Sequence, residues 1–232
     1  MIPSLPRRPH PLIVALVLAA TGPAAGAANQ PGSTRGTYII HRSDDTLGFE
    51  RWRIDRTPTG VELTTVATYP AHRPRVEWHG TLTLSADSQP VVARAEKVRG
   101  GTALNVVQFG GRRMTVRRKI GQRESAREFP RPRRPLLLPD SLFAFHALLP
   151  GGNGPLTLIN PATDRQTRAT LVDRGSEPTR IGGRAVVLRH LVLSAGSLER
   201  HLWFDAAGTL QRLDLPALGI VVERTATPPR PE

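Results

Sequence analysis

The residues that could do chemistry are few, and their spacing is loose. Six histidines follow the first thirty residues: His41, His72, His79, His146, His190 and His201. If Arg184–Leu193 and Leu198–Asp205 form a hairpin, His190 and His201 come close across the ladder. Two imidazoles can begin a metal site. No acid or third histidine stands nearby at ligand spacing, so the pair reads as structural and no metal is assigned. Asp44 and Asp45 fall where a turn is expected, and turns favour Asp without a cation. Cysteine is absent, which removes disulfides, thiolate ligands and a thiol nucleophile. No Gly-x-Ser-x-Gly elbow, His-Glu-x-x-His, Walker loop or strand-following Gly-x-Gly-x-x-Gly occurs. The expectation is a protein that is not an enzyme, with no catalytic residue and no cofactor.

Charge is the second chemical feature. Between Arg112 and Arg134 ten basic residues oppose only Glu124 and Glu128. Such a run can contact a polyanion, with Arg117, Arg131, Arg133 and Arg134 as its candidates and an anionic membrane surface as the partner. A solvated strand face accounts for part of it, because Arg113, Arg117 and Lys119 alternate with Met114 and Val116.

The chain that must position these groups has 232 residues, 32 Lys plus Arg against 19 Asp plus Glu, and a net charge of +13. Arg7 and Arg8, the apolar run Leu12–Ala20, and the small-x-small site Ala25-Gly26-Ala27 form the three-part pattern of a secretory signal peptide over 1–27. Nine apolar residues are too short to span a hydrocarbon core of about 30 Å. The expected location is therefore periplasmic or secreted after cleavage near Ala27, which argues against a nucleic-acid partner. Residues 28–35 read as a flexible arm, 36–225 as a single domain, and 226–232 as a Pro-rich tail.

Within 36–225 short strands recur with turn residues every ten or so positions, the pattern of an all-β domain. Arg75–Leu84 alternates without error, with Val76, Trp78, Leu82 and Leu84 on one side and Gly80 among them. Thr37–His41 and Thr46–Arg56 form a hairpin around Ser43–Asp45. Leu47 and Phe49 sit out of phase with Trp52 and Ile54, which places a bulge near Glu50-Arg51. Gly110-Gly111 offers the positive φ angles of a tight hairpin. Arg184–Leu193 is apolar on both faces, as a strand covered on both sides would be. One helix is expected over Pro139–Leu149, with Leu138, Leu142, Phe145 and Leu149 on one arc, opened by Pro139, Asp140 and Ser141 and stopped by Pro150-Gly151-Gly152.

The segment Leu202–Leu213 reads as strand, Asp/Gly turn, strand, followed by Pro216 and a last strand Gly219–Arg224. With the early Gly36-x-Tyr38 and Gly48-x-Glu50-x-Trp52 strands, it resembles an uncharacterised exported bacterial β-protein family. That family's curved antiparallel sheet is similar to that of the periplasmic lipoprotein carriers LolA and LolB. The resemblance implies a mainly β protein: a single strongly curved antiparallel sheet, a half-barrel or incomplete barrel, with one short helix packed on or in it. It further implies a lipid or other hydrophobic ligand held in the concavity. The candidate lining residues are Trp78, Leu82, Leu84, Met114, Val116, Leu142 and Phe145. The alternative is an envelope structural or interaction protein in which the same seven residues are ordinary core.

Overall fold

The computed structural model describes residues 32–71 and 75–225. The signal-peptide segment 1–27, the Pro-rich tail 226–232 and His72 lie outside the described residues. Among the described residues no helix is long and apolar enough to cross a membrane.

Fifteen strands form one open sheet. The first wing is a meander: β1 (Gly32–Arg42), β2 (Asp45–Thr57), β3 (Gly60–Tyr69), β4 (Val76–Ser85), β5 (Pro90–Arg99), β6 (Ala103–Phe109), β7 (Arg113–Ile120) and β8 (Arg123–Pro130). The chain then starts the opposite edge with β9 (Pro135–Leu137). It returns through β10 (Gly154–Asn160), β11 (Arg165–Ile181), β12 (Arg184–Ala195), β13 (Leu198–Phe204), β14 (Leu210–Leu215) and β15 (Ile220–Thr225). β15 pairs antiparallel with β1, so the first and last described strands lie side by side at the middle of the sheet.

Only five peptide steps separate the end of β8 at Pro130 from the start of β9 at Pro135, so the two free edges lie within about 17 Å of each other. The sheet is open by strand pairing, yet its edges are tethered side by side. Arg118 of β7 also reaches Asp164, in the turn between β10 and β11, at 3.4 Å. The two wings therefore meet, and one apolar cluster joins residues of both.

The alternation that makes these strands is plain in β3, where Val61, Leu63, Thr65 and Ala67 are buried and Glu62, Thr64, Val66 and Thr68 are not. Four expectations need correction. Gly32–Arg35, expected in the flexible arm, already pair with β2, and residues 28–31 lie outside the described residues. One pairing is parallel, β9 against β10. The register shift in the first hairpin falls at Leu47, not at Glu50-Arg51, since Ile40 faces Gly48 while His41 faces Thr46. Gly110 and Gly111 keep negative φ; the glycine pairs that use positive φ are Gly100 (79°) and Gly101 (119°), between β5 and β6, and Gly182 (52°) and Gly183 (79°), at the tip of the β11–β12 hairpin.

The expected helix over Pro139–Leu149 is replaced by a single 3₁₀ turn, Phe143–Ala147. Leu142 before it is extended, and Leu148 after it leaves helical geometry. This stretch is apolar on several aspects because the sheet covers it from several sides: Leu136–Leu138 and Leu142–His146 are all buried. Its periodicity reflects burial all round, not one helical face.

Candidate functional site

The segment 135–149 is a plug buried among residues of both wings, and the residues that hold it define the interior. Gly80 of β4 lies beneath it. A Cβ at that position would sit 2.6 Å from Leu142 Cδ1 and 2.9 Å from Phe145 Cε2, so only glycine admits the plug this closely. The Tyr69 hydroxyl donates to the Ser141 carbonyl at 3.0 Å from the first wing, and Asn160 Nδ2 donates to Asp140 at 2.8 Å from the second.

The central tie is Glu50. The buried phase of β2 is Gly48, Glu50, Trp52, Ile54, which turns this carboxyl into the core with no exposure. It accepts from the Phe143 N–H at 2.7 Å, the Ala144 N–H at 3.1 Å and the Thr65 hydroxyl at 2.7 Å. These backbone groups open the 3₁₀ turn and have no partner within it. Burial pushes the Glu50 pKa up to about 7, against the hydrogen bonds from Thr65, Ala144 and Phe143.

His146, on the same turn, is buried as well. Its Nδ1 lies 3.0 Å from the Phe143 carbonyl, which can only accept, so Nδ1 carries the proton. The Nε2 lone pair has no partner among the described residues. Burial, with the nearby Arg200 charge, pulls the His146 pKa down to about 3. Arg200 itself points Nε and Nη1 into buried space without partners.

The seven expected lining residues do come together. Leu82, Leu84, Met114, Val116, Leu142 and Phe145 are buried in one cluster, and Trp78 packs partly buried against it. Leu142 and Phe145 belong to the plug that fills the interior. The space left between the plug and Leu82, Leu84 and Val61 is about 170 Å³. A larger recess of about 600 Å³ opens at the mouth, between Leu149, Leu171, Leu191 and Phe204.

The four expected anion contacts separate. Arg134 donates to the carbonyls of Gly151, Gly152, Asn153 and Pro155, which staples the loop that follows the plug. Arg131 donates to the Gly110 and Pro90 carbonyls and lies over the Phe109 ring. Those donors are occupied inside the molecule. Arg133 and Arg117 remain exposed.

His190 and His201 meet as the hairpin required, with Nε2 and Nδ1 3.0 Å apart. They stack in a layer with Trp203, whose indole donates to Glu177 at 2.9 Å. His190 Nδ1 lies 3.0 Å from the same Glu177 oxygen, off the axis of a hydrogen bond. The Trp203 hydrogen bond, against slight desolvation, holds Glu177 below the usual carboxylate range. Among the described residues no group of three or more His, Asp or Glu is arranged to hold a metal ion.

One further cavity lies across β1–β4. It is a groove of about 920 Å³ lined by three consecutive register rows: Arg35, Arg53, Thr64, Thr81; then Gly36, Trp52, Thr65, Gly80; then Thr37, Arg51, Val66, His79. Gln211, Arg224 and Thr225 close one end. The Arg224 guanidinium stands 5.5 Å over the Trp52 ring and donates to the Arg35 carbonyl.

Glu50, Arg200, Glu177 and this groove were not anticipated from sequence. Glu50 had a signal: it is the one charged residue in the buried run of β2, which otherwise reads Gly48, Trp52, Ile54. The apolar Leu47 and Phe49 masked it by suggesting the opposite phase.

No family model matches the chain, and no curated protein matches it in sequence. Among solved structures it is similar to the crystal structure of a beta-barrel-like protein of domain of unknown function DUF1849 from Brucella abortus. The match has a TM-score of 0.54 and 10% identity, and covers 85% of this chain and 99% of that one. At that identity the likeness shows the fold: mainly β, beta-barrel-like, shared with an uncharacterised family. It shows nothing about LolA or LolB.

Proposed function

We propose that this is an exported, non-catalytic interaction or structural protein of the cell envelope, built on a barrel-like sheet with a filled interior. The observation that carries this is the plug. Leu142, Ala144 and Phe145 have no exposure, and Glu50, Tyr69 and Asn160 tie the segment to both wings. The remaining interior slot of about 170 Å³ is below the roughly 300–1,000 Å³ of ordinary ligand sites. The export half of the reading is supported by the 1–27 pattern. The test is native mass spectrometry and lipid extraction on protein purified from its own host. The expected result is a bare mass starting near Ala28; a stoichiometric lipid would overturn the filled-core reading.

A second reading is favoured by the mouth recess. Its 600 Å³, its apolar wall and the 69% exposure of Val187 at its rim suit an apolar ligand held outside the plug. In that case Leu149→Asp removes lipid from the purified protein and leaves the melting temperature nearly unchanged.

A further inference from the structure

One charged side chain points into the interior with its inner donors unmet. Arg200 on β13 faces Leu193 across the ladder, and Leu193 has no exposure. It stands two residues from Leu202, which has none either. Strand alternation therefore puts Arg200 on the interior face, with His201 and its stack on the other. Its Nε and Nη1 are enclosed and have no partner among the described residues. Asp140, whose charge acts on Arg200, is engaged by Asn160 instead.

His146 of the plug offers the complementary half. It is 3% exposed. Because Nδ1 donates to the Phe143 carbonyl, Nε2 is left as an acceptor, and among the described residues nothing donates to it. The Arg200 charge reaches this ring and adds to the effect of burial on its pKa. The two groups thus share one neighbourhood, yet they do not hydrogen-bond to each other. Neither lines any of the recesses described above, which restricts an occupant to a few atoms.

Nε and Nη1 lie along one edge of the guanidinium, the fork that fits two oxygens of a single oxyanion. The His146 acceptor requires an O–H. A carboxylate fills the fork and leaves His146 unmet. Water meets both groups and leaves the enclosed charge uncompensated, which is costly. We propose that Arg200 and His146 form a site for a small oxyanion that carries a proton, with hydrogen carbonate as its planar, compact member: two oxygens accept from Nε and Nη1, and the hydroxyl donates to Nε2 of His146. The site lies apart from the mouth recess and adds a ligand to the filled interior.

The test is the melting temperature of the full mature protein at neutral pH, in carbonate-free zwitterionic buffer, titrated with hydrogen carbonate, acetate and hydrogen phosphate. Hydrogen carbonate raises it by mass action. Acetate has the same planar shape with a methyl group in place of the hydroxyl, and needs at least about tenfold more for the same rise, because it leaves a buried acceptor unmet. Hydrogen phosphate, tetrahedral and larger, is weaker than hydrogen carbonate. Arg200→Met abolishes the response and, with no anion present, melts above the wild type, since an unpaired enclosed charge is gone. His146→Leu makes hydrogen carbonate and acetate equal. Arg133→Gln, on the surface, leaves the titration unaltered. No response of the wild type to hydrogen carbonate, as an ordered water alone would give, overturns the proposal. So does an equal response to acetate, a stronger one to hydrogen phosphate, or an Arg200→Met protein that still responds. Failure here leaves the bare-mass result standing, whereas lipid in the purified protein counts against the filled core and not against the anion.

Discussion

Glu50 and Glu177 are both glutamates that accept hydrogen bonds from across the sheet, yet their environments drive them in opposite directions. Glu177 accepts one bond from the Trp203 indole with its side chain 42% exposed, and its pKa falls. Glu50 accepts three bonds with no exposure, and its pKa rises to about 7. The number of bonds does not decide the sign. Desolvation of the charge in the core outweighs three donors, whereas on the solvated face one donor outweighs a slight desolvation.

The comparison is broken most directly by truncation. Glu50→Ala strands the buried Phe143 and Ala144 N–H groups and opens a cavity beneath the plug. Unsatisfied buried donors cost about 1–3 kcal/mol each, so the expected loss is roughly 3–5 kcal/mol by urea denaturation. Phe145→Ala, which empties the same interior, is expected to cost a similar 3–5 kcal/mol. A loss under about 1 kcal/mol for Glu50→Ala would mean that the plug is not anchored there.

The pH dependence sharpens the same contrast. Glu50 has a folded pKa of about 7, raised from 4.5. Its contribution is fully present below the unfolded value and is lost as pH rises from 4.5 through 7, a change of roughly 3 kcal/mol. His146 is the mirror image, with a folded pKa of about 3, lowered from 6.5. Its contribution is present above 6.5 and is lost as pH falls toward 3. Between pH 4.5 and 6.5 the two slopes cancel, and the wild-type stability is expected to be flat. Glu50→Gln uncovers the His146 slope: stability falls by about 1.4 kcal/mol per unit as pH drops below 6.5. His146→Leu uncovers the opposite slope, with stability falling as pH rises from 4.5 to 7. Parallel profiles for the wild type and both variants would refute the coupling of these two groups to the plug.

The sequence carried the surface of this contrast better than its depth. Alternation in Arg75–Leu84 was readable because that strand has one wet face, and proximity of His190 to His201 followed from strand pairing alone. The parallel β9–β10 pairing and the plug were not readable. A segment buried on all sides carries no period that distinguishes a helix from an extended crossing, so Leu142 and Phe145 fitted a helical arc without forming one. Arg131 and Arg134 could not be told from surface charge, because their carbonyl partners at Pro90, Gly110 and 151–155 are set by chain reversals that no local pattern encodes. The groove arises from register between four strands, and register depends on turn lengths and on the shift at Leu47.

The smallest expected effect belongs to Glu177 and completes the comparison. Glu177→Gln keeps an acceptor for the Trp203 N–H while removing the charge beside His190. The group is partly solvated, so the loss is that of a surface interaction, about 0–1 kcal/mol. Its pKa is lowered in the fold, so its contribution is present above the unfolded carboxylate value and is lost only as pH falls below it. The Gln variant should therefore match the wild type in acid and fall slightly short of it at neutral pH, with the gap closing in high salt as the charge near His190 is screened. The Trp203 stack with His190, at 4.6 Å and nearly parallel, does not need the carboxylate charge, so the near-ultraviolet circular dichroism of the indole should stay unchanged. A loss above about 2 kcal/mol, or a changed indole signal, would show that Glu177 is held as tightly as Glu50 and that exposure does not separate the two sites.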